Sequence, residues 1–310
     1  MDFLVNWLAN VPSFAVPFAL AALGLIVCEK SGVLNLGAEG YMLVGAMAGA
    51  GAMLSLGSHP LLALAIAALA AAALSLLFAL LVIALRVNQV ISGLVIVFFA
   101  QGLTALISTT QGWTNRAFAG LGDVNLGPLS SLPVVGRILF QQDLIVYLTL
   151  VIFAVAMHML YSTHTGMRLR AVGENPEAAD AAGIPIGWYR FGAVVVGSML
   201  IGLAGGYLTV AVSKVWVDGM SGGRGWIAIA LVIFARWQPW PALAGAVMFG
   251  CIEALIPRMA AIGLQLPQYF VLMLPYVVTL GVMVWTSLSA GRRSGQPGAL
   301  GQPFVREERR

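Results

Sequence analysis

The sequence predicts an all-α, polytopic membrane protein of about nine transmembrane segments (eight to ten), with broken helices and one long cytoplasmic loop. Three observations carry that prediction. Hydrophobic residues make up 60% of the 310 positions and charged residues only 9%, with a mean hydropathy of +0.93, which no ordinary soluble domain shows. Residues 61–85, LLALAIAALAAAALSLLFALLVIAL, contain no charge. At about 1.5 Å per residue this run exceeds the roughly 30 Å hydrocarbon thickness of a bilayer. Similar runs then recur along the chain.

In order, the expected spans are 11–28, 33–56, 61–85, 90–110, 144–161, 191–212, a shortened piece at 226–235, then 242–262 and 268–288. The start carries Asp2 and no basic run, so a cleaved secretory signal is not expected and the first span is retained. Residues 1–290 read as one membrane domain and 291–310 as a basic cytoplasmic tail. Cys28 and Cys251 both fall in apolar spans without metal-type spacing, so neither a disulfide framework nor a zinc site is indicated.

Three interruptions punctuate the spans. Residues 29–40, EKSGVLNLGAEG, place Glu29, Lys30, Asn35 and Glu39 beside apolar sequence. Residues 111–143 form a Gly/Pro/Ser-rich outer loop, and 213–225, SKVWVDGMSGGRG, precede the shortened span. The first and third are glycine-broken segments, one in each half of the chain, as in transporters that expose backbone polar groups to a pathway. Small residues also recur at every fourth position, at Ser198, Gly202 and Gly206 and at Gly45 and Gly49, a spacing that lets helices approach closely in lipid.

The longest polar passage is 162–190, STHTGMRLRAVGENPEAADAAGIPIGWYR. It carries complete helix punctuation. Asn175 is an N-cap, Pro176 suits the first helical position, Glu177 and Asp180 favour the positive helix start, and Gly183 ends the helix. With this passage in the cytoplasm, eleven basic residues (Lys30, Arg86, Arg168, Arg170, Arg190, Arg236, Arg292, Arg293, Arg306, Arg309, Arg310) face inward. Five (Arg116, Arg137, Lys214, Arg224, Arg258) face outward, which satisfies the positive-inside rule. The basic tail is then a topology anchor rather than a nucleic-acid arm.

Enzyme chemistry finds no support. The only lysines, Lys30 and Lys214, follow no glycine, so there is no phosphate-cradling P-loop. His59, His158 and His164 lack ligand spacing, and no G-x-S-x-G elbow appears. Energy for work must come from a partner.

Three blocks carry a resemblance. TGMRLRAVGENPEAADAAGI resembles the cytoplasmic loop of bacterial ABC-importer permeases of the branched-chain amino acid, ribose and nucleoside class, and GVLNLGAEGYMLVGA resembles the block of its nucleoside-type members. GRGWIAIALVIFARWQPWPALAGAVMFG stands where that family has its G-x-G-x-x-x-I-A-V-A-L-x-G…P block, with Ala235 in place of the common glycine. Together the blocks cover residue 32 to about 285. The resemblance implies a nucleoside-importing permease subunit of the inner membrane, with no catalytic residue, metal or cofactor of its own. It also implies two cytoplasmic ATPase subunits that bind the ATP, a second homologous permease and an extracytoplasmic binding lipoprotein.

On that reading the 162–190 passage is an ATPase-coupling loop. Arg168, Arg170, Glu174, Asn175, Pro176, Glu177, Asp180 and Gly183 are its candidate residues, and Ala178, Ala179, Ala181 and Ala182 offer a small apolar face to a groove. The alternative is a solvated loop with incidental helix signals. The solute-path candidates are Asn35, Glu39, Asn88, Gln89, Trp113, Trp216 and Trp226. A charge at the bilayer centre costs about 2.5–3.5 kcal/mol, so Glu39 is functional by default, with bundle structure as the alternative. Glu253 has the same standing, with Arg258 one turn on as a neutralising partner. For Asn88, Gln89 and Gln101 the alternative is interhelical hydrogen bonding. For the tryptophans it is interface anchoring rather than stacking on a base. Within the family the alternative is a permease for a sugar or a branched-chain amino acid, and a secondary ion-coupled transporter remains the competing class.

Overall fold

The structure, a computed structural model, describes residues 2–125, 134–261 and 295–304 and isolated positions between them. It is a helical bundle. The helices are α1 (Asp2–Glu29), α2 (Ala38–Leu56), α3 (Pro60–Ala79), α4 (Gln89–Gln111), α5 (Val135–Leu139), α6 (Leu144–Ser162), α7 (His164–Glu174), α8 (Pro176–Ala181), α9 (Ile186–Tyr207), α10 (Arg224–Phe234) and α11 (Pro239–Ala261). Wide π turns continue α3 over Leu80–Ala84 and α9 over Leu208–Ser213. Among the described residues, six helices are long and apolar enough to cross a membrane: Phe3–Glu29, Pro60–Ala84, Gln89–Gln111, Leu144–Ser162, Ile186–Ser213 and Pro239–Met259.

Those six match six expected spans. The expected span at 33–56 is a shorter helix, because the backbone does not turn helical until Ala38. Asn35 Oδ1 accepts the Gly37 amide at 3.0 Å, a local turn that competes with helix. The shortened piece is α10, and the expected span at 268–288 lies largely outside the described residues, as does half of the basic tail.

Side chains cap several helix starts. His59, Asn88 and Asp143 cap α3, α4 and α6 by accepting amides of the following turn, and α4 stops at Gly112 with φ +63°. Within the loop between α4 and α6, Asp123–Asn125 and Gln141–Asp143 form a two-stranded antiparallel ribbon.

The centre of the bundle is α9, packed by α1, α2 and α3. Glycine makes that possible. A methyl group on Gly45 of α2 would overlap the Gly202 carbonyl of α9, and one on Gly197 of α9 would overlap the Gly24 carbonyl of α1. Gly206 lies against Ala67 of α3 and Gly49 of α2. The four-residue spacing of small residues is therefore helix packing, as expected from sequence.

Candidate functional site

The two glycine-broken segments meet, and Glu39 joins them. Its side chain is buried at the first turn of α2. One carboxylate oxygen accepts the Ser221 hydroxyl at 2.6 Å and the Gly223 amide at 2.9 Å, and the other accepts the Gly225 amide at 2.8 Å. Gly223 and Gly225 open α10, whose first amides have no intrahelical acceptor and whose dipole favours an anion there. Glu39 thus caps a helix far away in sequence. Gly225 must lack a side chain, since a Cβ would stand 2.5 Å from Glu39 Cα and N. Arg224 turns the other way and pairs with Glu253 of α11 at 2.7 Å. That corrects the expected Glu253–Arg258 pairing. Arg224 reaches Glu253 because the break aims the start of α10 at α11.

The loop after α4 closes over this seam. The Asn115 amide donates to the Trp216 carbonyl at 2.9 Å, Phe118 to Lys214 at 3.1 Å and Leu121 to Val210 at 2.9 Å. Trp216 is fully buried against Leu43, Ala46, Met47 and Ala50, and its indole donates to Asp218, which also accepts Ser108 Oγ at 2.8 Å. Trp113 lies over Gly51 and donates to Ser55 Oγ at 3.0 Å. Trp226 is 36% exposed. The three tryptophans do not converge on one open surface, and Trp216 serves the packing of α2.

On the α1–α2 break, Gln89 Oε1 accepts the Leu34 amide at 2.7 Å, which ties α4 to the broken segment. Asn35 Nδ2, Gln89 Nε2 and Ser92 Oγ are buried there without a hydrogen-bond partner. Asn88 instead spends its side chain on the α4 cap, accepting Val90 and Ile91 amides at 2.9 and 3.1 Å. Glu29 accepts the Trp237 indole from the turn after α10.

The 162–190 passage holds two short helices, α7 and α8, ahead of α9. Thr163 caps α7 through the Gly166 amide at 3.1 Å, a signal present in the sequence and not used above. Asn175 then caps α8, accepting the Ala178 amide at 2.9 Å, Pro176 opens it, and Gly183 leaves it at φ +77°. Glu177, Ala178, Ala181 and Ala182 are exposed. Ala179 is not: it packs inward on Val172 and Ile186, so the outward apolar face consists of the other three alanines. Arg168 is exposed, whereas the Arg170 guanidinium lies 4.9 Å from the Tyr161 ring centre, a cation–π contact. Burial first, then the Arg170 charge, pull the nearby Lys30 ammonium below its usual range, against the opposite pull of Glu174.

A family model described as the permease component of the branched-chain amino acid transport system matches residues 7–284. The chain belongs to this permease family. It is 36% identical to a putative glucose ABC transporter permease of Haloferax volcanii over 99% of both chains. It is 31% identical to a guanosine ABC transporter permease of Bacillus subtilis, over 96% of this chain and 95% of that one. A nucleoside ABC transporter permease of Lactococcus lactis is 33% identical over 89% and 90%. No solved structure matches the chain. The protein is thus a multi-pass membrane transport component and not an enzyme, and an ABC permease works with an ATPase and a substrate-binding partner. The family's third block is accommodated despite Ala235. That residue sits at the α10 C-terminus with φ −70°, which any residue adopts, and Arg236 and Trp237 take the positive angles.

Sequence reasoning missed several structural residues. Asp143 is buried, caps α6 and accepts the Tyr207 hydroxyl; its place before an apolar run was the available signal. Ser221, Asp218 and Trp237 had no signal, because their partners are remote in sequence.

Proposed function

We propose that this permease translocates a neutral polar solute, and specifically a nucleoside. The observation that carries the reading is the occupancy of its carboxylates. Glu29, Glu39 and Glu253, three of the acids set within or at the ends of the described apolar helices, are engaged by Trp237, by Ser221, Gly223 and Gly225, and by Arg224, and buried Asp143 at the start of α6 is engaged by the Tyr207 hydroxyl and two amides. Carboxylates engaged in this way are not available to pair directly with a zwitterionic amino acid or a coupling ion, whose charge is costly to carry out of water. A nucleoside or sugar needs only donors and acceptors, and Asn35, Gln89 and Ser92 keep donors in reserve beside the break. The nucleoside permeases of Bacillus subtilis and Lactococcus lactis favour a nucleoside. The Haloferax relative supports the second reading, a hexose.

In this proposal two such permeases pair across the path. Two ATPase subunits seat on the α8 helices, bind the ATP and drive the cycle, and a binding lipoprotein delivers the solute from outside. The permease carries no cofactor. The path runs along the seam of the two broken segments, with Glu39 holding its edge, and α8 moves as a rigid piece when the ATPases close. Competition for uptake among guanosine, ribose, glucose and leucine tests the solute. Guanosine should compete best; competition by glucose or leucine with none by guanosine would remove the nucleoside assignment. An ATPase inhibitor should abolish uptake, and loss of uptake only on collapse of the ion gradient would favour a secondary transporter.

A further inference from the structure

The cytoplasmic segment 295–304 is folded back onto the bundle. The Ala299 amide donates to the Gly173 carbonyl of α7 at 2.9 Å, and the Gly301 amide to the Gly32 carbonyl in the α1–α2 break at 3.1 Å. Lys30 Nζ donates to the Gly295 carbonyl at 2.8 Å, and Arg190 of α9 to the Gln302 carbonyl at 3.3 Å. Phe304 packs on the small cluster of Val172, Ala179 and Ile186, which joins α7, α8 and α9 beneath the exposed face of α8. Glycine is required along the way. A Cβ on Gly298 would stand 2.7 Å from the Glu174 carbonyl, one on Gly295 would overlap the Arg236 carbonyl, and Gly301 has φ +81°.

These contacts lie between two places already described. On one side is α8. On the other is the broken segment 30–37, which runs directly into Glu39 and its ties to the start of α10. A direct contact also exists, since Gly173 of α7 lies against the Lys30 carbonyl. The segment doubles it, gripping α7 and α8 through Gly173 and Phe304 and the break through Lys30 and Gly32. A tail that served only as a charge anchor would need none of this. Its described part is held by backbone hydrogen bonds, by the apolar side chains of Ala299, Leu300 and Phe304, and by three glycines.

We propose that residues 295–304 are a positioning element for energy coupling: a strap that makes α8 and the α1–α2 break move together. The proposal rests on the reading of α8 as the ATPase-facing helix. A coupling free energy between sites ordinarily corresponds to about 5–150-fold, so loosening the strap should cost transport more than assembly.

The test uses the permease co-expressed with its own ATPase and binding-protein partners and reconstituted in vesicles. ATP hydrolysis is measured beside uptake of labelled guanosine and of labelled glucose. Three variants are compared: a chain ending after residue 294, Phe304→Ala, and Glu177→Lys with Asp180→Lys. The two strap variants should co-purify with the ATPase normally and still hydrolyse ATP, while solute moved per ATP falls at least about fivefold. Should the truncated chain fail to assemble, the same ratio in Phe304→Ala decides. An unchanged ratio in Phe304→Ala, with the double lysine variant losing ATPase association or coupling, would overturn the strap and leave the α8 assignment standing. Loss of ATPase association in the strap variants would overturn it too, since the segment would then belong to the docking surface itself. A double lysine variant that assembles and transports normally would remove the α8 reading, and the strap with it.

Discussion

Replacing Glu39 by Gln is the sharpest single perturbation of the seam. The wild-type carboxylate accepts three hydrogen bonds, two on one oxygen and one on the other. Glutamine keeps one acceptor oxygen. If that oxygen stays with Ser221 and Gly223, the amide group faces the Gly225 N–H, donor against donor, in a buried site. Losing a hydrogen bond to a charged group costs about 1.5–3 kcal/mol, and losing the anion at the start of α10 adds about 0.3–1 kcal/mol. The expected destabilisation is therefore about 2–4 kcal/mol. Glu39→Ala removes all three bonds and should cost more, whereas Glu39→Asp keeps the charge and shortens the reach, which places it between wild type and Gln. The assay is thermal inactivation of the purified permease complex, read beside uptake kinetics at matched protein level. Gln should lower the midpoint by about 5 °C and reduce uptake without re-ranking the competing solutes. Unchanged midpoints in Gln and Ala together with an altered solute preference would refute the tie and make Glu39 a solute contact instead.

Four further outcomes follow from the same geometry. Gly225→Ala puts a methyl 2.5 Å from the α2 backbone and should destabilise the complex by about 1–3 kcal/mol, seen as the same kind of midpoint shift. Gly45→Val drives a branched side chain into the Gly202 carbonyl, costs at least about 3 kcal/mol, and should abolish a monodisperse peak in size-exclusion chromatography. Tyr207→Phe deprives buried Asp143 of its hydroxyl donor but leaves the Ile145 and Val146 amides in place, so a loss of about 1–3 kcal/mol in thermal stability is expected with solute preference unchanged. In a background free of Cys28 and Cys251, cysteines at positions 122 and 177 should label from opposite sides of the membrane; labelling from one side would overturn the topology.

What the sequence disclosed was local. Hydropathy located six long helices because an apolar run of that length has one solution in lipid, and Asn175, Pro176 and Gly183 marked α8 because capping is a matter of adjacent residues. Glycine spacing announced close helix contact but not its partners, since Gly45 meets Gly202 only after the chain has folded. The site was legible as two suspicious breaks and no further. Nothing about Glu39 names Ser221, and nothing about Arg224 prefers Glu253 to a closer acid. The 295–304 segment was hidden most completely. Its neighbouring arginines suggested a charge anchor, while its hydrogen bonds to the bundle use its backbone groups, which carry no signature in side-chain type, and Leu300 and Phe304 are too isolated to announce their partners.

The seam also explains why a permease should tolerate broken helices at its centre. A continuous helix satisfies its own amides and has no reason to respond to a neighbour. The start of α10 is different: Gly223 and Gly225 depend on a carboxylate from α2, and Arg224 depends on Glu253 from α11. Three elements therefore share one set of polar contacts at one point. A displacement of α2 or of the break before it cannot leave α10 in place without stranding buried donors, each worth about 1–3 kcal/mol. That penalty makes the elements move together or not at all, as a rigid coupling requires. The unpartnered donors of Asn35, Gln89 and Ser92 stand beside the same break. On the proposed function, charge held fast in the tie and neutral donors left free beside it would suit the passage of an uncharged solute without its retention.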